Sequence, residues 1–189
     1  DFLDPTSISA AATQIIKKSP IIDRLIMVGG VLKDNETQPE KRLSDIDPGA
    51  LHYSYQVNAI GPILFVKSLW QVLRQPRPLV VASLSARVGS IADNQLGGWY
   101  GYRASKAALN QLSHTAAIEL ARYNPNSCMV TLHPGTVDTE LSRPFQKMAT
   151  STSIFSADQS AAKLWQVMDQ LNPAQTGGFF AYDGSSVPF

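Results

Sequence analysis

The sequence predicts an α/β protein with a Rossmann-like, doubly wound parallel sheet, because short β-branched runs alternate with longer helical patterns. Strands linked through helices require crossover connections, which place helices on both faces of the sheet. A chain of 189 residues fits one domain, residues 1–189. The predicted strands are Arg24 to Val28, Leu79 to Leu84, Met129 to Leu132 and Gly178 to Ala181.

Capping residues predict where the helices start. An acidic residue followed by proline is typical of a helix N-terminus, as is a serine followed three residues later by glutamine. These signals predict helices from Asp4-Pro5 to about Lys18, from Asp47-Pro48 to about Leu73, and from Ser156 to about Leu171.

The composition limits which binding partners and which cellular compartment we expect. The net charge is +1 and only 16% of residues are charged, with basic residues scattered, so we expect neither nucleic acid nor an anionic membrane as partner. Cys128 is the only cysteine, which excludes an internal disulfide and indicates a reducing, cytoplasmic compartment. The three histidines lack metal-ligand spacing, and no metal site is expected.

Tyr102 and Lys106 form the pair that can carry chemistry. Four residues apart in a helix, they project from the same face on adjacent turns. Ionising a tyrosine of pKa ~10 at pH 7 costs about 4 kcal/mol. An ammonium ~4 Å away, at an effective dielectric of ~20, stabilises the phenolate by on the order of 4 kcal/mol, which offsets that cost. The spacing therefore predicts either an acid–base tyrosine or, in the absence of further polar groups, a solvated surface pair.

Two other segments supply further polar groups. Pro62 lacks an N–H and cannot bond the carbonyl of Asn58, so we expect a kink and a free carbonyl that can hold a water. Ser85 ends the second predicted strand and can hydrogen-bond a substrate oxygen, with Ser83 as the alternative serine. No Gly-x-Ser-x-Gly elbow surrounds Ser85, which disfavours a serine hydrolase.

The candidate residues follow the predicted strands, and ligands of parallel sheets bind outside the carboxyl ends of the strands. Gly29 and Gly30 follow the first strand and residues 133–135 follow the third, so we expect these segments to meet at one edge. Residues 138–155 mix Ser and Thr with Phe145, Met148 and Phe155, which predicts a substrate lid or an ordinary surface loop.

Taken together, these motifs resemble the short-chain dehydrogenase/reductase family. The resemblance rests on Asn58 with Gly61, Ser85, Tyr102 with Lys106, and Pro134-Gly135 with Thr139, in that order. Four longer strings are similar to the family's bacterial C-factor-like branch, and the resemblance spans essentially the whole chain. These strings are Ser85 to Ile91, Gly97 to Asn110, His133 to Thr139 and Gly177 to Gly184.

The resemblance implies hydride exchange between a nicotinamide cofactor and an alcohol or carbonyl compound. Tyr102 would be the acid–base residue, and Lys106 would lower its pKa and bind the nicotinamide ribose. Ser85 would orient the substrate oxygen, and Asn58 would support a proton-relay water. The implied cofactor is NADP or NAD, with NADP slightly favoured. Asp1 and Phe2 would contact the adenine, and the small residues Gly29 and Gly30 would let the backbone approach the cofactor. The segment with Pro134, Gly135, Val137 and Thr139 would hold the nicotinamide carboxamide.

The family's Gly-rich pyrophosphate turn does not precede Leu25, so we expect the 189 residues to belong to a longer chain. The resemblance also implies a homodimer or homotetramer and a small-molecule substrate. A function other than catalysis also stays open. A Rossmann-like protein without that turn can be catalytically silent and act through signalling or protein contacts.

Overall fold

The computed structural model describes residues 1–33, 38–143, 146 and 154–189. Its strands are β1 Arg24–Met27, β2 Leu79–Leu84, β3 Ser127–His133, β4 Thr136–Val137, β5 Ile154–Phe155 and β6 Phe179–Ala181. Four of them form one parallel sheet in the order β1-β2-β3-β6, while β4 and β5 pair separately. The predicted parallel α/β architecture is confirmed.

Among the residues that the structure describes, five α-helices precede, connect or follow these strands. They are α1 Pro5–Lys18, α2 Pro48–Tyr55, α3 Gly61–Leu73, α4 Tyr100–Tyr123 and α5 Ala157–Gln170. The three predicted N-termini are confirmed by hydrogen bonds. Asp4 and Asp47 accept from backbone N–H groups of the first turn, and Ser156 forms a reciprocal capping box with Gln159.

The two faces of the sheet bury different helices, because side chains alternate along each strand. On one face, Val81 and Met129 pack with residues of α1, α3 and α4, including Leu69 and Leu120. On the other face, Ala82 and Val130 pack against α5 through Leu164 and its neighbours. Helices therefore cover both faces, as the doubly wound class requires.

The helix expected from Pro48 to Leu73 is not a single α-helix. A π-helical turn, Gln56–Ile60, separates α2 from α3, and the Gly61 N–H donates to the carbonyl of Gln56. Because Pro62 has no N–H, the backbone around it cannot keep the α-helical pattern. The expected local break is confirmed, although it takes the form of a π-helical turn.

Candidate active site

The carboxyl edge of the sheet brings together segments that are far apart in sequence. The Lys106 Nζ atom on α4 donates to the carbonyl oxygen of Leu84, the last residue of β2, at 2.9 Å. A Cβ atom placed on Gly30, just after β1, would lie 3.2 Å from Lys106 Nζ and 3.3 Å from Asn58 Oδ1. The ends of β1 and β2, the π-helical turn and α4 therefore meet around Lys106.

Lys106 is buried and Tyr102 is half-buried, and loss of hydration dominates the electrostatics of the pair. The Lys106 Nζ atom lies 5.9 Å from the centroid of the Tyr102 ring. Loss of hydration raises the pKa of Tyr102 to about 12 and lowers the pKa of Lys106 to about 8. The expected lowering of the Tyr102 pKa is therefore wrong for this structure, because loss of hydration disfavours the charged phenolate. At neutral pH Tyr102 holds its proton and can act as an acid.

Lys106 retains donors for a ligand. Its side chain is only 3% exposed, and within the described part of the chain its ammonium is hydrogen-bonded to the Leu84 carbonyl. An ammonium has three N–H donors, so two stay available beside the small residue Gly30. Hydroxyl groups of a sugar are suitable acceptors, and the site therefore fits the ribose of a nicotinamide cofactor.

Asn58 is fully buried and joins the π-helical turn to two other segments. Its Nδ2 atom donates to Val31 O at 2.8 Å and to Ser105 Oγ at 3.0 Å, while its Oδ1 atom accepts from Val31 N at 2.8 Å. The amide side chain thus holds the segment after Gly30 against α4. The water-binding role expected for the Asn58 main-chain carbonyl stays a prediction.

Ser85 and Ser83 both have buried hydroxyl oxygens without a hydrogen-bond partner among the described residues. Alternation along β2 places both on the face of Val81, which is the face that α4 covers. Ser85 lies at the outer end, directly after the Leu84 carbonyl that binds Lys106. This position favours Ser85 as the serine closer to a substrate at the sheet edge.

The segment expected to hold the nicotinamide makes bonds of its own. The Pro134 carbonyl accepts from Ser160 Oγ at 2.8 Å. The Val137 carbonyl accepts from the Ser142 hydroxyl, and the Thr139 hydroxyl lies 3.5 Å from the same oxygen. The cofactor contacts expected of this segment stay predictions, and its backbone is ordered by these bonds.

The expected lid, residues 138–155, is described only in part. Phe145 and Met148 lie outside the described residues, whereas Phe155 belongs to β5. The Phe155 ring packs edge-on against Tyr182 at 4.8 Å between centroids. A Cβ atom on Gly135 would lie 2.8 Å from the same ring, so Gly135, whose φ is +78°, is required at this contact. The lid stays a prediction.

Phe2, expected near the adenine, packs over the end of β1. A Cβ atom on Gly29 would approach the Phe2 ring to 2.7 Å, so the two residues are in direct contact. Asp1 lies beside it and its carboxylate accepts from Leu3 N at 2.9 Å. The contacts of these residues with a cofactor stay predictions.

Two buried residues that the sequence analysis missed position Tyr102. Glu40 is 7% exposed, and its carboxylate accepts from Gly101 N at 3.1 Å, at the N-terminus of α4. Ser105 accepts from Asn58 and donates to the Tyr102 carbonyl at 2.9 Å. Glu40 lies 61 residues from its partner in an otherwise polar loop, so no sequence signal identifies it. Ser105 could have been found, since it lies within the Tyr102–Lys106 motif.

With this geometry established, comparison with known proteins identifies the family. A short chain dehydrogenase family model matches residues 1–150, so the chain belongs to the short-chain dehydrogenase/reductase family. It is therefore similar to NAD(P)-dependent oxidoreductases in sequence and fold, and is an enzyme of that class.

Individual relatives agree with this assignment. The chain is 35% identical to "C-signal" from Myxococcus xanthus over 148 residues, covering 78% of this chain and 83% of the relative. It is 29% identical to 1-hydroxy-2-glutathionyl-2-methyl-3-butene dehydrogenase from Rhodococcus sp., covering 98% and 76%. A solved short-chain dehydrogenase/reductase from Burkholderia multivorans with bound NADP matches with a TM-score of 0.79 and 28% identity, covering 100% and 75%.

Two kinds of feature are missing from the part of the chain that the structure describes: a metal-binding cluster and a membrane-spanning helix. There, no group of three or more His, Cys, Asp or Glu side chains could hold a metal ion. None of the helices described has the length and apolarity that crossing a bilayer requires.

Proposed function

We propose that this protein reduces a carbonyl group of a small molecule, or oxidises the corresponding alcohol, through Tyr102, Lys106, Ser85 and Asn58. The observation that carries the proposal is the position of the half-buried Tyr102 ring beside the buried Lys106 ammonium, 5.9 Å from Nζ to the ring centroid. Loss of hydration raises the pKa of Tyr102 to about 12, so the phenol is protonated. NADP is the proposed cofactor in preference to NAD, and the NADP-bound Burkholderia relative supports this choice.

Proton transfer from Tyr102 is the step that the protein itself provides. A nicotinamide cofactor, when bound, would supply the hydride for the carbonyl carbon. Tyr102 donates its proton to the carbonyl oxygen, while the Ser85 hydroxyl donates a hydrogen bond to the same oxygen. An alkoxide is a stronger base than a phenolate, so this transfer is favourable even from a tyrosine whose pKa is about 12.

Lys106 stabilises the phenolate that this transfer leaves behind. The Lys106 Nζ atom lies 5.9 Å from the centroid of the Tyr102 ring. At a charge separation of roughly 6 Å and an effective dielectric of ~20, an ammonium stabilises a negative charge by about 3 kcal/mol. The same ammonium would bind the cofactor ribose, with Gly29 and Gly30 allowing close approach. In this proposal a water held by the Asn58 carbonyl returns a proton to Tyr102 through Lys106.

The remaining cofactor contacts are assigned on family resemblance. Asp1 and Phe2 would bind the adenine, and the segment from Pro134 and Gly135 through Val137 to Thr139 would bind the nicotinamide carboxamide. Residues 138–155 would close over the substrate. We further propose a cytoplasmic homodimer or homotetramer, and the unpaired, buried Cys128 supports a reducing compartment.

The test is oxidation of NADPH and NADH by the protein, with a panel of aldehydes and ketones, comparing the parent with Tyr102→Phe. Removing a general acid lowers kcat by about 10²–10⁴-fold. Tyr123→Phe is the matched control, because Tyr123 lies at the far end of α4 and is half exposed. A Tyr102→Phe variant as active as the parent would sink the proposal.

A second pair of variants assigns the serine. We expect Ser85→Ala to lower kcat by about 10²-fold, as loss of one oxyanion donor does, and Ser83→Ala to lower it much less. The reverse order would reassign the role to Ser83.

A signalling function is the second candidate, favoured by the 35% identity to the relative named "C-signal". It predicts no turnover with any carbonyl compound or alcohol, together with unchanged behaviour of Tyr102→Phe in a signalling assay. Turnover that depends on Tyr102 would argue against a catalytically silent protein.

A further inference from the structure

Five residues between α4 and the sheet form a group, of which the proposed mechanism uses only Ser85. Each has a buried side-chain polar atom with no hydrogen-bond partner within the described ranges, and we name the group the inner polar patch. In those ranges six such atoms occur, and the sixth, Arg24 Nη1, belongs to β1. The five atoms of the patch are Ser83 Oγ, Ser85 Oγ, Thr131 Oγ1, His133 Nδ1 and Asn110 Oδ1.

The strand register places four of these residues side by side. Ser83 pairs with Thr131 across β2 and β3, and the Ser85 N–H donates to Leu132 O at 2.8 Å, which continues the ladder to His133. Neighbouring strands lie ~4.8 Å apart, and paired residues of parallel strands point to the same face. The four side chains therefore form a block of two adjacent pairs on the face that α4 covers.

Asn110 is the member of the patch that belongs to α4. It is 2% exposed and lies one turn after Lys106, and its Nδ2 atom is 3.5 Å from Gly89 O. Along α4, Asn110 lies between Lys106, which binds the end of β2, and Ala117, which packs with Val81. Ser83 and Thr131 likewise lie between the ends of their strands and the apolar core on that face of the sheet.

The chemistry of the patch indicates a small ligand that both donates and accepts hydrogen bonds. Burial, reinforced by the charge of Arg87 and opposed by Asp183, lowers the pKa of His133 to about 4, so its imidazole is neutral. The patch thus offers hydroxyl groups, an amide oxygen and a neutral ring, without a carboxylate or an ammonium of its own. Water satisfies such mixed groups, typically through about three hydrogen bonds per molecule.

We propose that the inner polar patch binds a cluster of ordered water molecules, which connects the Ser85 hydroxyl at the sheet edge to Thr131, His133 and Asn110 below it. The cluster supplies the partners that the protein groups lack and gives Ser85 an acceptor and a donor on the side away from the substrate. The binding of water in the patch does not depend on the proposed function. The effect of that water on catalysis through Ser85 rests on the proposed function.

Thr131→Val tests hydration through the sign of a stability change. Valine has the shape of threonine but no hydroxyl, so in a dry patch it would remove an unsatisfied group and raise Tm. In a hydrated patch it takes a partner from a bound water, and we expect Tm to fall by about 2–4 °C. Thr115→Val on the exposed side of α4 is the matched control and should shift Tm by less than about 2 °C. A rise in Tm for Thr131→Val overturns the proposal.

A crystal structure at high resolution provides the direct measurement. We expect water density within hydrogen-bond distance of Thr131 Oγ1 and Asn110 Oδ1 in the parent, with at least one of these waters absent in Thr131→Val. A patch without water density overturns hydration whether or not the protein has turnover, so this result is distinct from failure of the proposed function.

The effect of the water cluster on catalysis is measured separately, as kcat and KM, in a parent protein that has turnover. We expect Thr131→Val to lower kcat by about threefold to tenfold with an unchanged KM for NADPH, because only the orientation of Ser85 is affected. An unchanged kcat in a protein whose crystal structure shows the waters would overturn the link to Ser85 and leave the hydration site standing.

Discussion

The two halves of α4 lie on the same sheet face but are built from different chemistry. Near its N-terminus, Tyr102, Lys106 and Asn110 cover strand ends that carry serine, threonine and histidine. Near its C-terminus, Ala117 and Leu120 are fully buried and pack with the apolar Val81 and Met129. The apolar half stabilises the fold, whereas the polar half holds groups whose burial is unfavourable and which the proposed chemistry needs.

The pKa shifts show that charged groups are unfavourable in the polar region under α4. Lys106, His133 and Tyr102 all resist charging in the folded protein, because burial removes the water that solvates an ion. Retaining such groups at a site reduces stability in exchange for activity. Variants in the two halves should therefore have opposite effects on stability.

The largest stability effect is expected in the apolar half. Leu120→Ala should reduce the free energy of unfolding by about 2–5 kcal/mol, since it removes buried methyl groups and leaves a cavity. Urea denaturation measures the change. Ile118→Ala, two residues away on the exposed side of the same helix, is the control and should cost less than about 1 kcal/mol. Equal losses for the two variants would refute the assignment of a packed apolar half.

A somewhat smaller effect is expected from pH through His133. The folded-state pKa is about 4, below the unfolded value near 6.5, so between these values the unfolded chain binds a proton that the folded protein does not. Stability should therefore fall as pH decreases through this window. In His133→Gln the loss between pH 7.5 and pH 4.5, measured by urea denaturation, should be smaller than in the parent by about 2–3 kcal/mol.

The matched control for this experiment is His52→Gln, because His52 is exposed on α2. It should retain the acid-side loss of the parent. If His133→Gln loses as much stability in acid as the parent does, the imidazole is not buried in its neutral form.

The smallest net effect is expected for Lys106→Met, and its sign is opposite to that of Leu120→Ala. Removing a buried ammonium relieves a cost of about 3 kcal/mol, while loss of the bond to the Leu84 carbonyl costs about 1–2 kcal/mol. We expect a net gain of about 1–2 kcal/mol at pH 7 together with loss of turnover. Thermal unfolding and the NADPH assay measure the two outcomes.

The pH dependence of this variant adds a second check. In the parent, Lys106 loses its proton near pH 8 when folded and near 10.5 when unfolded, so its contribution to stability rises with pH between these values. Lys106→Met should lack that rise, whereas the exposed Lys67→Met on α3 should keep it. A rise that persists in Lys106→Met would contradict the assignment.

Particular residues show which features of the structure can be predicted from local sequence patterns. The strand runs around Leu25 and Val81, and the caps at Asp4, Asp47 and Ser156, are local signals and predicted their elements correctly. The expected break at Pro62 was also correct, because loss of an N–H is a property of the residue itself. Its π-helical form depends on packing against α4 and could not be predicted from the sequence.

The sequence by itself determined the parallel α/β architecture, the order of the candidate residues and the placement of Tyr102 and Lys106 on one helical face, because periodicity and capping act over a few residues. Only the tertiary structure decided that Glu40 anchors α4, that Asn58 binds Val31 and Ser105, and that the Tyr102 pKa rises. These outcomes depend on desolvation and on contacts between distant segments, and neither quantity is contained in local sequence.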